Sequence, residues 1–398
     1  MGIFKVTYHL GKGKEETIYR YELNEKELEL QTIFFKKAAL TEEEIHLLHR
    51  GALLYIGVGD PWTAEKILKR LINEKADPDY FYRMGVVYTQ LGRTIEAEHY
   101  LEMCRTTGSL SDKALANYIL SMLYARHHQK FLLDINKSKN FLEEAYEILC
   151  SLSETDLKDI HFHKIFNRNG YALVLFREGK IQEAIELLNF GISNLNDKNK
   201  KLHKTVLIYN LAQCFTKIEK YGEALELYNQ VISHDPYYPE NYLEYARVLI
   251  FSGDYKKGLE VINRSIELDP FFLEAYSLAG YCYDELGETN HCIENYKKAW
   301  KLDKTKIDSA YEYGYALSEL ERYEECLMLL ENIEINPSQL EVSSLRNIIT
   351  LHAEAALNCQ GVNDAVQILM SGLNILPEDS EIKKNLKILR SMKVNVNA

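Results

Sequence analysis

The sequence has 398 residues, of which 46% are hydrophobic and 27% charged, an ordinary balance for a globular protein with enough length to bury a core. No apolar run approaches the ~20 residues that a membrane-spanning helix needs, and the first residues do not resemble a secretory signal peptide. The net charge of −12 is concentrated in residues 239–336, where twenty acidic residues face ten basic ones. This excess disfavours nucleic acid as the main ligand of that segment.

Residues 1–44 differ from the rest of the chain, and they are predicted to form a β-hairpin followed by a capping segment. Apolar residues alternate with polar ones in two runs that flank the loop sequence GKGKEE, and these residues are Phe4, Val6, Tyr8 and Leu10, then Tyr19, Tyr21 and Leu23. A lone hairpin is marginally stable in water. The hairpin is therefore expected either to cap the first helices or to pair with another chain, and a homo-oligomer through residues 4–23 stays open.

Most of the remaining chain repeats with a period of 34 residues. The stretches FTKIEKYGEALELYNQVISHDP and IFSGDYKKGLEVINRSIELDP end at Pro236 and Pro270, and Gly287 follows Gly253 at the same interval. A fixed period of this size indicates a solenoid of stacked units. Gly253 predicts the end of one helix, Asp254 predicts the N-cap of the next, and Pro270 closes the unit.

Each unit resembles a tetratricopeptide repeat (TPR), in which two antiparallel helices cross through small residues. Small residues recur at position 8 of the units, namely Ala52, Gly85, Ala172, Ala212, Ala246, Gly280 and Gly314. They recur at position 20 as Ala64, Ala97, Ala184, Ala224, Gly258, Cys292 and Cys326. Large residues recur at positions 11 and 24. This arrangement allows two helices to approach to about 8–10 Å while bulky neighbours fill the grooves alongside.

The resemblance implies an all-α fold, a right-handed TPR superhelix (an α-α solenoid) of about nine helix pairs. The solenoid is expected over residues 45–377, with units at 45–77, 78–111, 112–164, 165–204, 205–238, 239–272, 273–306, 307–340 and 347–377. Unit 112–164 departs from the pattern because ARHHQKFLLDINKSKN lengthens its turn or its helices. Residues 378–398 are expected to form a C-terminal capping helix with a polar outer face, since a solenoid needs a soluble end.

No pattern in the sequence is typical of an enzyme or of a cofactor site. The sequence GKGK at 11–14 lacks the spacing of a nucleotide-binding loop. Histidine pairs such as His46 and His49 have no Cys or carboxylate partner at metal-ligand spacing. The seven cysteines are odd in number and lie in apolar helical patterns, so they are expected to be small buried residues in a reducing cytoplasm. We therefore expect no catalytic residues, no metal and no cofactor.

The resemblance also implies a concave groove lined by the inner helix of each unit. The candidate partner-binding residues are Tyr209, Asn210, Glu240, Glu244, Arg247, Glu274, Tyr281, Asp284, Asp308, Tyr311, Glu312 and Tyr315. Tyrosine offers a large contact area with a polar tip, and carboxylates select basic partners. A groove of the kind that clamps heat-shock protein carboxylates is disfavoured, because Glu240 and Glu244 replace two of the bases that such a clamp requires.

These observations favour a non-enzymatic protein–protein interaction scaffold or adaptor, which holds a peptide or helix of a basic or aromatic partner in its Tyr-rich, acidic groove. A cytosolic peptide-sensing TPR regulator and a helical-repeat RNA-binding protein stay open as alternatives. We expect the protein to be cytoplasmic, without membrane insertion, and nucleic acid to be an unlikely partner. The sequence does not identify the partner.

Overall fold

A computed structural model of the chain describes residues 5–9, 15–19, 32–36, 38–129, 132–195, 200–333, 337 and 340–396. Two strands in the described part, β1 (Lys5–His9) and β2 (Glu15–Tyr19), pair antiparallel. Val6 lies opposite Ile18 and Lys5 lies opposite Tyr19, so Tyr19 is not paired with an apolar residue of the first predicted row. Phe4, Leu10, Tyr21 and Leu23 lie outside the described residues. The role of this strand pair, as a cap or as a pairing edge, stays a prediction.

The chain divides into two compact units, Met1–Cys214 and Phe215–Ala398, with the boundary inside one helix. The helices of the first unit are α1 (Glu42–Gly57), α2 (Pro61–Glu74), α3 (Pro78–Gln90), α4 (Thr94–Thr107), α5 (Leu110–Met122), α6 (Ile135–Ser151), α7 (Ile160–Arg177), α8 (Ile181–Asn194) and the greater part of α9 (Lys201–Lys217). Side chains that cap the first backbone N–H groups mark where α1 and α5 begin. Thr41 and Glu44 form a reciprocal capping box at α1, and Ser109 and Asp112 form another at α5.

The irregular part of the first unit follows α5 directly. A π-helical turn, Leu123–His127, extends α5 before the chain reaches α6. His128 is buried there, with its Nδ1 atom 3.0 Å from Thr94 Oγ1, and the Tyr124 hydroxyl donates to Glu98. The longer connection predicted for residues 112–164 is therefore built from an extended helix and buried polar contacts.

The second unit continues the helix pairs with the remainder of α9, α10 (Tyr221–His234), α11 (Pro239–Phe251), α12 (Tyr255–Leu268), α13 (Leu273–Glu285), α14 (Thr289–Leu302), α15 (Ile307–Glu319), α16 (Tyr323–Glu331), α17 (Val342–Cys359), α18 (Val362–Ile375) and α19 (Ser380–Val396). Each helix buries one stripe. In α12, Leu259, Ile262 and Ser265 are buried at the three-residue spacing that keeps side chains on one face.

The turn between the two helices of a repeat uses one left-handed residue. Gly253 has φ 84° and Gly287 has φ 73°, and Asp254 caps α12 by accepting from the Lys257 N–H. Glu219 and Glu321 occupy the same repeat position with φ 60° and 56°, although a side chain disfavours that conformation. The turn predicted from Gly253 therefore recurs along the second unit whether or not glycine is present.

The crossings of paired helices are as close as the small residues predict. A Cβ atom on Gly85 would lie 2.5 Å from Leu101 Cγ, and one on Gly280 would lie 2.7 Å from Tyr296 Cδ1. In both repeats, the residue at repeat position 8, on the first helix, faces the residue at repeat position 24, on the second helix. Contacts this short leave no space for a side chain, which agrees with the small residues expected at these crossings; the bounds of the repeat units stay a prediction.

Two details differ from the prediction. Cys150 and Cys359 are exposed, because each falls on the solvent side of its helix, while the other five cysteines are buried. The last helix, α19, buries Ile382, Leu386 and Leu389 in an apolar cluster with residues of α17 and α18. Its remaining surface is not uniformly polar: Ile388 and Met392 are 44% and 46% exposed. Among the described residues, none of the helices is long and apolar enough to cross a membrane.

Candidate functional site

The predicted binding residues are divided between the two units. Ten lie on α11, α13 and α15 of the second unit, namely Glu240, Glu244, Arg247, Glu274, Tyr281, Asp284, Asp308, Tyr311, Glu312 and Tyr315. Tyr209 and Asn210 lie on α9 in the first unit. There, Gln213 Nε2 donates to Tyr209 Oη at 3.4 Å, and Asn210 Nδ2 donates to Asn169 Oδ1 at 2.8 Å. The two groups of predicted residues therefore belong to different compact units.

Charge separates the two units sharply. Residues 215–398 carry 30 acidic and 18 basic residues, whereas residues 1–214 carry 29 of each, so the whole net charge of −12 arises in the second unit. Glu274, Asp284 and Asp308, on α13 and α15, are exposed to solvent. Glu240 is half-buried, and its Oε2 atom accepts from the Tyr238 hydroxyl at 2.7 Å. The exposed carboxylates give this part of the second unit a negative potential.

The Glu244 carboxylate is half-buried beside the cation of Arg247. Its Oε1 atom lies 3.1 Å from Arg247 Nε, one helical turn further along α11. Burial raises the pKa of Glu244 most strongly; the Arg247 charge opposes this shift, and the Glu240 charge adds to it. Glu244 and Arg247 therefore form a partly compensated pair, in which the carboxylate has lost more solvation than the arginine restores.

A first cavity of about 340 Å³ lies next to this pair, between α11, α12 and α13. It is lined by Arg247, Ile250, Phe251, Tyr255, Leu278 and Tyr281. The Phe251 ring is 59% exposed, and the Tyr255 and Tyr281 rings meet edge to face with centroids 6.3 Å apart. Burial, followed by hydrogen bonding to Glu285, raises the pKa of Tyr281 to about 12. The cavity thus has aromatic walls, a neutral phenol and a partly compensated cation.

Glu312 lies two repeats after Glu244, at the same position of its repeat, and its environment is similar. Burial raises the pKa of Glu312 most strongly; the Ser277 hydroxyl opposes the shift, and the Asp308 charge adds to it. Its buried Oε2 atom has no hydrogen-bond partner among the described residues. No cation in the described part of the chain pairs with this carboxylate, so it is the less compensated of the two acids.

Replacing Glu312 by glutamine is expected to stabilise the protein at pH 7.5 but not near pH 4. The pKa of Glu312 is raised in the folded state above its ordinary value of 4.5. The ionised acid therefore destabilises the fold progressively as the pH rises from this ordinary pKa to the folded-state pKa, and the full effect persists above it. We expect a gain of about 1 kcal/mol at pH 7.5, the scale of an unsatisfied buried polar group. Melting temperatures measured at both pH values check this, with the exposed Glu274→Gln as the control. An equal shift at pH 4 would contradict the assignment.

A second cavity of about 410 Å³ lies between α15 and the last three helices. The residues that define its character are Tyr311, Tyr315, Glu354, Glu381, Ile388 and Met392. The Tyr311 and Tyr315 rings pack with centroids 5.9 Å apart. Burial, followed by the charges of Glu354 and Glu381, raises the pKa of Tyr311. The repeat pattern predicts the two tyrosines as site residues, but it predicts α19 only as a cap. The spacing of Ile388 and Met392, one helical turn apart, is the sequence signal for an apolar strip on α19.

We call the surface that joins these features the acidic face. It consists of the first cavity, the second cavity and the carboxylates of α11, α13 and α15. The first cavity is lined by residues of both α11 and α13. Burial raises the pKa of Glu312 on α15 and the Ser277 hydroxyl on α13 opposes this shift, so α13 and α15 are also neighbours there. The acidic face therefore combines aromatic recesses with negative charge.

Two family models match part of the second unit. Residues 219–280 match the family model described as tetratricopeptide repeat, and residues 253–333 match the model described as anaphase-promoting complex, cyclosome, subunit 3. Both matches lie in the second unit: the first extends from α10 into α13, and the second extends from α12 to α16. The chain has no match among curated proteins.

Solved structures resemble parts of the chain at less than 20% sequence identity. A MamA double mutant from strain RS-1 is 18% identical, with a TM-score of 0.37, over 42% of this chain and 92% of its own. MamA from residue 41 to its end, from Desulfovibrio magneticus RS-1, is 19% identical, with a TM-score of 0.36, over 42% and 92%. A structure of pilF from Pseudomonas aeruginosa is 13% identical, with a TM-score of 0.42, over 55% and 95%.

Proposed function

We propose that this tetratricopeptide repeat protein is a non-enzymatic interaction scaffold whose second unit binds a basic peptide or helix of a partner protein on the acidic face. Repeats of this family are protein-interaction modules, which supports the general role. The observation that supports the specific proposal is that Glu274, Asp284 and Asp308 are exposed on α13 and α15, helices that also line the two aromatic cavities, in the unit that holds all the net charge.

The cavities and the carboxylates would recognise different parts of the partner. An apolar or aromatic side chain of the partner enters the first cavity and covers the Phe251 ring, which is otherwise exposed. Lysine or arginine side chains lie along the exposed carboxylates, where they speed association and exclude acidic sequences. Aromatic anchors that become fully desolvated supply most of the binding energy.

The half-buried acids give the acidic face a preference for cations. Glu244 and Glu312 have raised pKa values because they have lost water without gaining full charge compensation. A partner cation placed beside Glu312 would restore that compensation and lower its pKa. Acids kept in such an environment weaken the fold, and binding sites are where proteins tolerate that weakness.

The proposal includes a cytoplasmic location. All seven cysteines are free thiols, five of them buried, which agrees with a reducing compartment. The partner would then be another cytoplasmic protein, or a cytoplasmic segment of one.

A direct test is a titration with two labelled peptides that have the same aromatic residues but opposite charge. The basic peptide, with lysines and arginines between tryptophans, is expected to bind, and its affinity should fall about tenfold or more from 50 to 500 mM salt as the charges are screened. The acidic peptide should not bind. Equal binding of both peptides, or an affinity that salt does not change, would overturn the proposal.

A further inference from the structure

The first unit contains an aromatic pocket that is separate from the acidic face. A cavity of about 180 Å³ lies between α3, α5, α6, α7 and the start of α9. The rings that line it are Tyr82, Tyr118, Phe162, His163, Phe166 and His203. For comparison, an apolar cavity of about 150 Å³ in a protein core is large enough to bind benzene. The pocket therefore has space for one small aromatic group.

The rings of the pocket are ordered by contacts with one another. Phe162 and Phe166 stack with centroids 5.3 Å apart, and Tyr118 packs on Phe166 at 5.7 Å. His203 meets both phenylalanines edge to face, at 4.8 Å from Phe162 and 5.2 Å from Phe166. Such edge-to-face and stacked geometries favour a further aromatic ring over an aliphatic group of equal size.

One buried acceptor in this pocket is unused. Asn167 is 1% exposed, lines the cavity, and donates from Nδ2 to the Leu142 carbonyl oxygen at 3.1 Å. That bond fixes the amide orientation, because the opposite orientation would place two oxygen atoms together. Asn167 Oδ1 has no hydrogen-bond partner among the described residues, and neither has His203 Nδ1. An unpaired buried acceptor costs stability, which a ligand with a donor group would recover.

Charge around the pocket argues against a cationic ligand. Lys200 Nζ lies 4.3 Å from the centre of the Phe162 ring, so one cation already occupies that π face. The same amine forms an ion pair with Asp159 at 3.1 Å. Burial, followed by the Lys200 charge, lowers the pKa of His203, which keeps the imidazole neutral near pH 7. A neutral ligand avoids the repulsion that a quaternary ammonium would meet.

We propose that this pocket binds a neutral aromatic ring with one hydrogen-bond donor, an indole or a phenol, whose N–H or O–H donates to Asn167 Oδ1. The ring can come from a free small molecule or from a tryptophan or tyrosine side chain of a partner, since the recognition chemistry is the same. The site is independent of the acidic face.

The test uses the full chain and calorimetric titration with four probes. Indole and phenol are expected to bind, toluene to bind about tenfold more weakly because it has no donor, and tetramethylammonium not to bind. Tighter binding of N-acetyl-tryptophanamide than of indole would assign the site to a partner side chain, and the reverse would assign it to a small molecule. If neither indole nor phenol binds, if toluene binds as tightly as they do, or if tetramethylammonium competes, the proposal is wrong.

Variants locate the binding. Leu115, half-buried at the pocket, is replaced by tryptophan to fill the cavity, and indole affinity should fall at least about tenfold. The matched control is Ile95→Trp at an exposed position of α4, which should bind indole as the parent chain does. Asn167→Leu should abolish the preference for indole over toluene. A folded Leu115→Trp protein that keeps its indole affinity would overturn the assignment, and the wild-type probe series decides the question if this variant does not fold.

Discussion

Replacing Gly280 by leucine is expected to destabilise the protein by about 1–3 kcal/mol or more, because it overpacks a helix crossing. A Cβ atom at this position would lie 2.7 Å from both Tyr296 Cδ1 and Cε1 and 3.0 Å from Cγ. The Tyr296 side chain is itself buried, 8% exposed, so it has little space to move away. The two helices of the pair, α13 and α14, would have to separate, and the stripe that they bury together would open.

The measurement is the melting temperature, or the midpoint of urea denaturation, of the variant and of a control in the same repeat. Asn290 is exposed at the start of α14, and Asn290→Ala should stay within about 0.5 kcal/mol of the parent chain. Gly280→Ala should fall between the two. If Gly280→Leu and Asn290→Ala melt together, the repeat register is wrong at this crossing.

Changing Glu274, Asp284 and Asp308 together to lysine is expected to abolish binding of the basic peptide, a loss of about 100-fold or more. The three carboxylates are exposed, so the substitution reverses the local potential without burying a new charge. Circular dichroism and the melting temperature should remain close to those of the parent chain. The loss should appear in the dissociation constant from the same peptide titration.

A control with the same net charge separates local recognition from a general charge effect. Glu260, Glu294 and Glu331 are exposed on α12, α14 and α16, the second helices of the same pairs. Changing these three to lysine should reduce peptide affinity only slightly, through long-range screening of the field. Equal losses in the two triple variants would mean that the peptide responds to net charge and not to the acidic face.

The choice of exposed carboxylates follows from the structure. Glu244 and Glu312 are half-buried with raised pKa values, and a lysine at either position would place an ammonium group where even a carboxylate is undersolvated. Such variants would lose stability as well as binding. A loss of peptide binding could then come either from unfolding or from the missing carboxylate. From sequence alone, these two acids were indistinguishable from Glu274 and Asp308.

The repeat architecture is predictable because it is local. The spacing of Gly253, Gly287 and the small crossing residues reports helix ends and close approach directly, and the structure has both where the sequence places them. Glu219 and Glu321 show the limit of this reasoning: they adopt the glycine conformation because the flanking helices impose it. From the sequence, these two turns are predictable only because Glu219 and Glu321 stand 34 residues from Gly253 and Gly287.

The cavities are less predictable from the sequence, because the residues that line them do not recur at fixed positions of the 34-residue repeat. The aromatic pocket draws Tyr82, Tyr118, Phe162 and His203 from helices that include the irregular unit, where the repeat positions cannot be assigned from sequence. The second cavity depends on α19, which lies beyond the last repeat. Burial of Glu312 depends on helix packing on both sides, so its raised pKa has no local sequence signal.

The most direct test of the acidic face is photo-crosslinking from the aromatic position of the basic peptide, with the attachment sites identified by mass spectrometry. We predict attachment to the residues of α11, α13 and α15, above all near Phe251 and Tyr281, which line the first cavity. Addition of unlabelled basic peptide should suppress it. Attachment confined to α12, α14 and α16, or to residues 1–214, would contradict the account.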